Sequence, residues 1–141
     1  MIKQFLANAS IALTHSIRQG TGSNSYTVVL SGVSCREVSG VRAGARTSSG
    51  KSFDPGDTTR ICIFPGHTTA APQNGTGLPL DAASAFLAPA AFKAAEEAQR
   101  TSAWTLAPED KVQLPSGRTG IVTSVQDNRT GRCPHWYVEV T

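Results

Sequence analysis

Trp104-Thr105-Leu106-Ala107-Pro108-Glu109-Asp110-Lys111-Val112, then Thr119-Gly120-Ile121-Val122-Thr123-Ser124-Val125, then His135-Trp136-Tyr137-Val138-Glu139-Val140 are the segments on which the fold turns. They read as strands near 111–114, 119–126 and 134–140. Pro115-Ser116-Gly117 turns the first pair. Asp127-Asn128-Arg129-Thr130-Gly131 turns the second, with Asn and Gly residues that tolerate positive φ. The C-terminal forty residues are therefore a short β-meander with dense turn chemistry and no catalytic cluster. That pattern points to a small β-rich module that binds or assembles.

Upstream, Ile11, Leu13, His15 and Ile17 alternate with Ala12, Thr14, Ser16 and Arg18. A period of two is that of a half-buried strand. Gly20-Thr21-Gly22-Ser23-Asn24 is a turn cluster. Tyr26 to Leu30 follows with β-branched and aromatic enrichment, and Val33 to Val38 continues it beyond Gly32, so the two runs predict a hairpin. Thr58 to Phe64 predicts a third strand, stopped by Pro65-Gly66.

Residues 39–57 hold Arg42, Arg46 and Lys51 among glycines and serines, with almost nothing to bury. They read as a long flexible loop. Residues 66–80, rich in Thr, Ala, Pro and Gly, read as a second. From Asp81 to Arg100 alanine dominates, and alanine is the best helix former. One helix over about 81–101 is expected, with Asp81 or Ser84 as cap and Pro89 at the first position of a second helical piece. Leu87, Ala91, Ala94 and Ala98 would form its apolar face, and Glu96 would pair with Arg100. The inventory is about six strands and one helix in a single domain, 1–141, which a small barrel or sandwich satisfies.

At 141 residues the chain buries roughly two thirds of its unfolded surface, so it needs no disulfide or metal staple. Aromatic residues are only 6% of it, so the core is lean. A formal charge of +3 is too small to imply nucleic-acid binding by itself. Cys35, Cys62 and Cys133 are widely spaced and odd in number, which suits free buried thiols in a reducing compartment. The polar residues Asn8, Ser10 and Thr14 interrupt any apolar run near the N-terminus, so no signal peptide is expected, and no apolar stretch approaches the roughly 18 residues of a membrane span.

Each chemical motif has a plainer explanation. Gly50-Lys51-Ser52 resembles a phosphate loop, but the spacing from Gly44 misses by one and Phe53-Asp54-Pro55-Gly56 opens a turn where a helix is required. Cys133 and His135, with Cys35 and Cys62, contain the atoms of a zinc site without a paired-ligand knuckle. His15, His67, His135, Asp81 and Asp110 offer pieces of a hydrolase triad without a nucleophile elbow. Arg42, Arg46, Lys51 and Arg60 are either a contact for phosphates or an acidic partner, or a solvated loop. Trp104, Trp136 and Tyr137 are either a base-stacking platform or the filling of a lean core, and burial is the expected role. The two tryptophans are expected to close opposite ends of the meander.

In this order, Ile11 to Thr14, Tyr26 to Val33, Asp57 to Pro65, and Trp104 to Asp110 followed by His135 to Glu139 resemble the head-closure, or head–tail connector, proteins of tailed bacteriophages, often described as minor capsid or stopper proteins. The resemblance covers nearly the whole chain through short structural motifs. It marks Trp104, Leu106, Asp110, His135 and Trp136 as structural residues. The family pattern has Pro-Gly-Asp where this chain has Pro108-Glu109-Asp110, so a different turn is expected there. The resemblance implies a mainly β fold, a small β-barrel with long loops, and a non-enzymatic virion protein of the neck without cofactor or metal. Such a protein forms a sixfold or twelvefold ring in the host bacterial cytoplasm, with no membrane involved. Its partners would be the portal–adaptor ring above, tail terminator or tube proteins below, and packaged double-stranded DNA in the channel. The loop carrying Arg42, Arg46 and Lys51 would face a neighbouring subunit or that lumen. The rival reading is a small-barrel nucleic-acid-binding protein acting alone.

Overall fold

The alternation at the start of the chain is borne out on β1 (Ala9–Gln19), where Ile11, Leu13 and Ile17 are buried on one face. The computed structural model describes residues 8–37 and 58–141. Arg42, Arg46, Lys51 and the Gly50-Lys51-Ser52 motif lie outside the described residues. β1 pairs as a hairpin with β2 (Gly22–Glu37) from Ser10 opposite Ser31 to Gln19 opposite Gly22.

The long strand β2 serves three partners. Its first part faces β1, Ser34 to Glu37 pair with β3 (Thr59–Ile63), and Val28 to Ser31 also hold β4 (Thr69–Pro72). The change of partner falls at Gly32, whose φ is 85° and whose absent Cβ would meet the His67 ring and carbonyl at 3.4 Å. A side chain there would be both strained and crowded. Thr68 closes the same corner: its buried hydroxyl donates to the Gly32 carbonyl at 2.8 Å and accepts from the Phe64 N–H at 2.9 Å.

The meander follows as β6 (Lys111–Gln113), β7 (Thr119–Asp127) and β8 (Trp136–Val140). β8 pairs with β3, and β6 pairs with β1. The circuit β1-β6-β7-β8-β3-β2 thus closes on itself, and the fold is a mainly β, six-stranded antiparallel barrel. Closure leaves each of these strands paired on both sides for part of its length. The interior is filled by inward residues such as Leu13, Leu30, Ile61, Val122, Val138 and Val140, all at most 2% exposed.

The stretch 66–80 differs from the loop expected. It contains β4 and the edge strand β5 (Leu80–Asp81), because Ala70 and Pro72 are small enough to lie buried against β2. The helical stretch lies where expected but is divided into α1 (Ala82–Ala85), α2 (Pro89–Ala94) and α3 (Glu97–Arg100). Phe86 is extended and bridges Trp104, with Leu87 N–H donating to Trp104 O at 2.9 Å and Trp104 N–H to Ala85 O at 3.0 Å. Tertiary pairing overrides alanine's helix propensity at that point. Asp81 caps α1 through the Ser84 N–H, and Pro89 occupies the start of α2.

The apolar face expected at Leu87, Ala91, Ala94 and Ala98 is not the buried one. Those alanines are exposed, Leu87 is half-buried, and Phe92 is fully buried. Arg100 pairs with Glu97 at 3.5 Å, not with Glu96. Its guanidinium also donates to the carbonyls of Phe92 at 3.0 Å and Lys93 at 2.7 Å, satisfying the C-terminal end of α2.

Gly120 on β7 lies where a Cβ would run into Val140 Cγ1 and approach the Thr141 carbonyl at 3.2 Å. Gly120→Ala is expected to destabilise the barrel by about 1–3 kcal/mol through overpacking, measured by chemical denaturation.

Candidate functional site

Barrel closure between β1 and β6 rests on three register pairs, ending with Thr14 opposite Lys111. Continued by one step, the register sets His15 against Asp110. Their side chains meet there, His15 Nδ1 to Asp110 Oδ1 at 2.7 Å. An ionised carboxylate only accepts, so the imidazole donates to Asp110 through its Nδ1–H. Asp110 is 4% exposed, and its other oxygen accepts the Ala107 N–H at 2.9 Å. Its backbone is engaged too: the Val122 N–H of β7 donates to Asp110 O at 2.8 Å. One residue therefore ties together β1, β7 and the turn that leads into β6.

That turn, Ala107 to Asp110, is closed by the Asp110 N–H on Ala107 O at 3.3 Å. Proline stands second and Glu109, at φ 79°, third. A positive φ at the third position is the mark of a type II turn, which favours glycine there. Glutamate therefore holds a left-handed position that glycine takes with less strain.

Trp104, Leu106 and Trp136 are all buried. The two tryptophans do not close opposite ends of the meander. Their rings contact each other edge-to-face at 5.2 Å, and Phe86 packs on both at 4.9 and 5.0 Å. The reason is the excursion through α1–α3, which returns the chain so that Trp104 reaches the start of β8. Trp104 Nε1 donates to Ala82 O at 2.8 Å. Arg129 covers the cluster from outside, its guanidinium 4.7 Å from the Trp136 ring and 4.9 Å from the Phe86 ring. Asp127 orients it through two hydrogen bonds of 2.9 and 2.7 Å. Those bonds hold the Asp127 carboxyl below its ordinary value. The pair's contribution is thus present above the ordinary carboxylate range and lost as pH falls through the depressed value. His135 shapes the same loop, its Nδ1 2.8 Å from the Cys133 carbonyl oxygen and Nε2 3.3 Å from the Asn128 amide.

A second hydrophobic cluster, Ile17, Tyr26, Phe92 and Ala103, joins the β1–β2 hairpin to α2. Phe92 meets the rings of His15 and Tyr26 edge-on at 5.6 and 5.3 Å. Between β1 and α2 lies an open cleft of about 310 Å³, lined among others by His15, Arg18 and Lys93.

Of the candidate triad pieces, the fold unites His15 and Asp110. Ser16, next to His15 on the strand, turns to the opposite face and bonds Ser25 Oγ at 3.0 Å. Among the described residues no group of three or more His, Cys, Asp and Glu side chains could hold a metal ion. The three thiols are free, and they are not all buried as expected: Cys35 and Cys62 are half-buried and Cys133 is exposed. Burial pushes the Cys35 thiol up to about 11, with Glu37 adding to the effect, and burial also raises Cys62. Arg60 sits exposed on β3, between Arg36 and Glu139 in register. Sequence reasoning missed the His15–Asp110 pair and the roles of Phe86, Arg129 and Phe92. The register of the barrel seam is the signal that exposes the first.

On the outer surface, Leu78 is 64% exposed and Leu80 and Ile121 are 39% exposed. The first two flank the sheet's edge at β5. By strand order β7, which carries Ile121, lies across the ring of six from β2, on which β4 and β5 hang. Comparison with protein-family models, curated proteins and solved structures finds no match to this chain.

Replacing Glu109 by glycine relieves a left-handed residue, and the expected gain is about 1 kcal/mol in denaturant unfolding. Alkylation by iodoacetamide at mildly alkaline pH, followed by peptide mass spectrometry, is expected to label Cys133 first and Cys35 slowly, since the thiolate is the nucleophile.

Proposed function

We propose that this chain is a structural virion protein of the tailed-bacteriophage neck, a ring component below the portal and adaptor that closes the DNA-filled head and docks the tail. The observation that carries this reading is the role of the motif residues. Trp104, Leu106, Asp110 and Trp136 are spent on building a closed barrel, the fold that the resemblance implies. With both indoles buried, the base-stacking surface of the rival nucleic-acid reading is missing from these two residues.

A closed ring needs two different surfaces on each subunit, one meeting the other on the next copy. The β5 edge with Leu78 and Leu80, and the β7 face with Ile121, lie on separate flanks and suit that arrangement. Their charges are complementary as well: exposed Asp81 follows Leu80, and exposed Lys111 stands opposite Ile121.

Mass spectrometry of purified virions is expected to find the protein, and sedimentation of the concentrated protein a ring. The double variant Leu78→Glu/Leu80→Glu and the variant Ile121→Glu are each expected to remain single subunits. Mixed together, they should form a one-to-one dimer, because each retains one intact flank. Absence from virions, together with salt-dependent binding of free duplex DNA by a monomer, would replace this reading with the rival.

A further inference from the structure

Thr105 is 2% exposed, and its Oγ1 has no hydrogen-bond partner among the described residues. A buried hydroxyl without a partner is destabilising, and valine, of nearly the same shape, would avoid the problem. Thr105 borders a narrow niche of about 10 Å³, close to the volume of one water-sized sphere. The niche lies between the barrel core and the satellite cluster of Tyr26, Phe92 and Ala103. Besides Thr105, its polar lining residues are His15, Tyr26, Thr27, Asn74 and Arg100.

We propose that this niche is a binding site for one structural water, anchored by Thr105 Oγ1. A buried water needs two to four polar partners. The His15 Nδ1–H is committed to Asp110, and Nε2 of the same ring, which lines the niche, can accept from a water or donate to it. The Asn74 amide uses one donor on Ser25 O and one lone pair on the Thr27 N–H, and so keeps a further donor and acceptor. The water joins the 103–106 segment to β1 at the place where the two hydrophobic clusters meet. It accounts for threonine, rather than valine, beside Trp104. The inference rests on this geometry alone and is independent of the proposed function.

Water–protein cross-relaxation in NMR of the full chain tests it, alongside denaturant unfolding of Thr105→Val and Thr105→Ser. The expected result is a long-lived water signal at the Thr105 and His15 protons. That signal should be kept in Thr105→Ser and lost in Thr105→Val, with the Thr105→Val unfolding midpoint shifted to lower denaturant. No long-lived water signal in the unsubstituted protein would overturn the proposal. So would a Thr105→Val midpoint shifted to higher denaturant, since removing a dry, unpaired hydroxyl stabilises.

Discussion

The barrel depends on the seam that closes it, between β1 and β6. These strands share three register pairs, as few as any neighbours in the ring of six and the same number as β6 and β7, so backbone pairing alone holds them weakly. Asp110 extends the seam by one step with a side-chain bond to His15. It also receives the Val122 N–H and caps its own turn. A carboxyl group at 4% exposure is tolerated because both of its oxygens have partners. Loss of these bonds would leave buried polar groups unpaired in the turn and on β1 together. The turn itself is held open to this role by Glu109 at positive φ, a local strain that the surrounding pairing sustains.

The aromatic plug is the second constraint. In a chain with few aromatic residues, Phe86, Trp104 and Trp136 converge from three separate stretches. Edge-to-face contacts add to their area burial. Arg129 lies over two of the rings while Asp127 fixes its direction, so the loop between β7 and β8 is fastened to the core. The broken helical stretch serves this plug: α1 and Phe86 bring one ring in, and α2 and α3 seal the β1–β2 hairpin through Phe92 and Arg100. A barrel fastened in this way presents the β5 edge and the β7 face as parts of one body.

Local pattern made much of the fold legible. Alternation marked β1, and turn residues at 115–117 and 127–131 separated the last three strands, because side-chain period and turn chemistry are properties of neighbouring residues. The failures were of another kind. β4 is a strand because β2 offers it an edge, and its Thr-Ala-Ala-Pro sequence has no strand signal of its own. Alanine-rich 81–101 breaks at Phe86 because that residue pairs with Trp104, eighteen positions later.

By itself, then, the sequence determined the class of the fold, the order of its main strands, the burial of both tryptophans and the start of α2 at Pro89. These follow from hydrophobic period, propensity and backbone stereochemistry, which act over a few residues. Only the tertiary structure decided that the sheet closes, that His15 stands opposite Asp110, that Trp104 meets Trp136, and that Thr105 borders a water-sized niche. Each of these depends on register between segments far apart in the chain. A one-residue slip would turn every one of the side chains involved to the other face, and short-range pattern carries no record of which register wins.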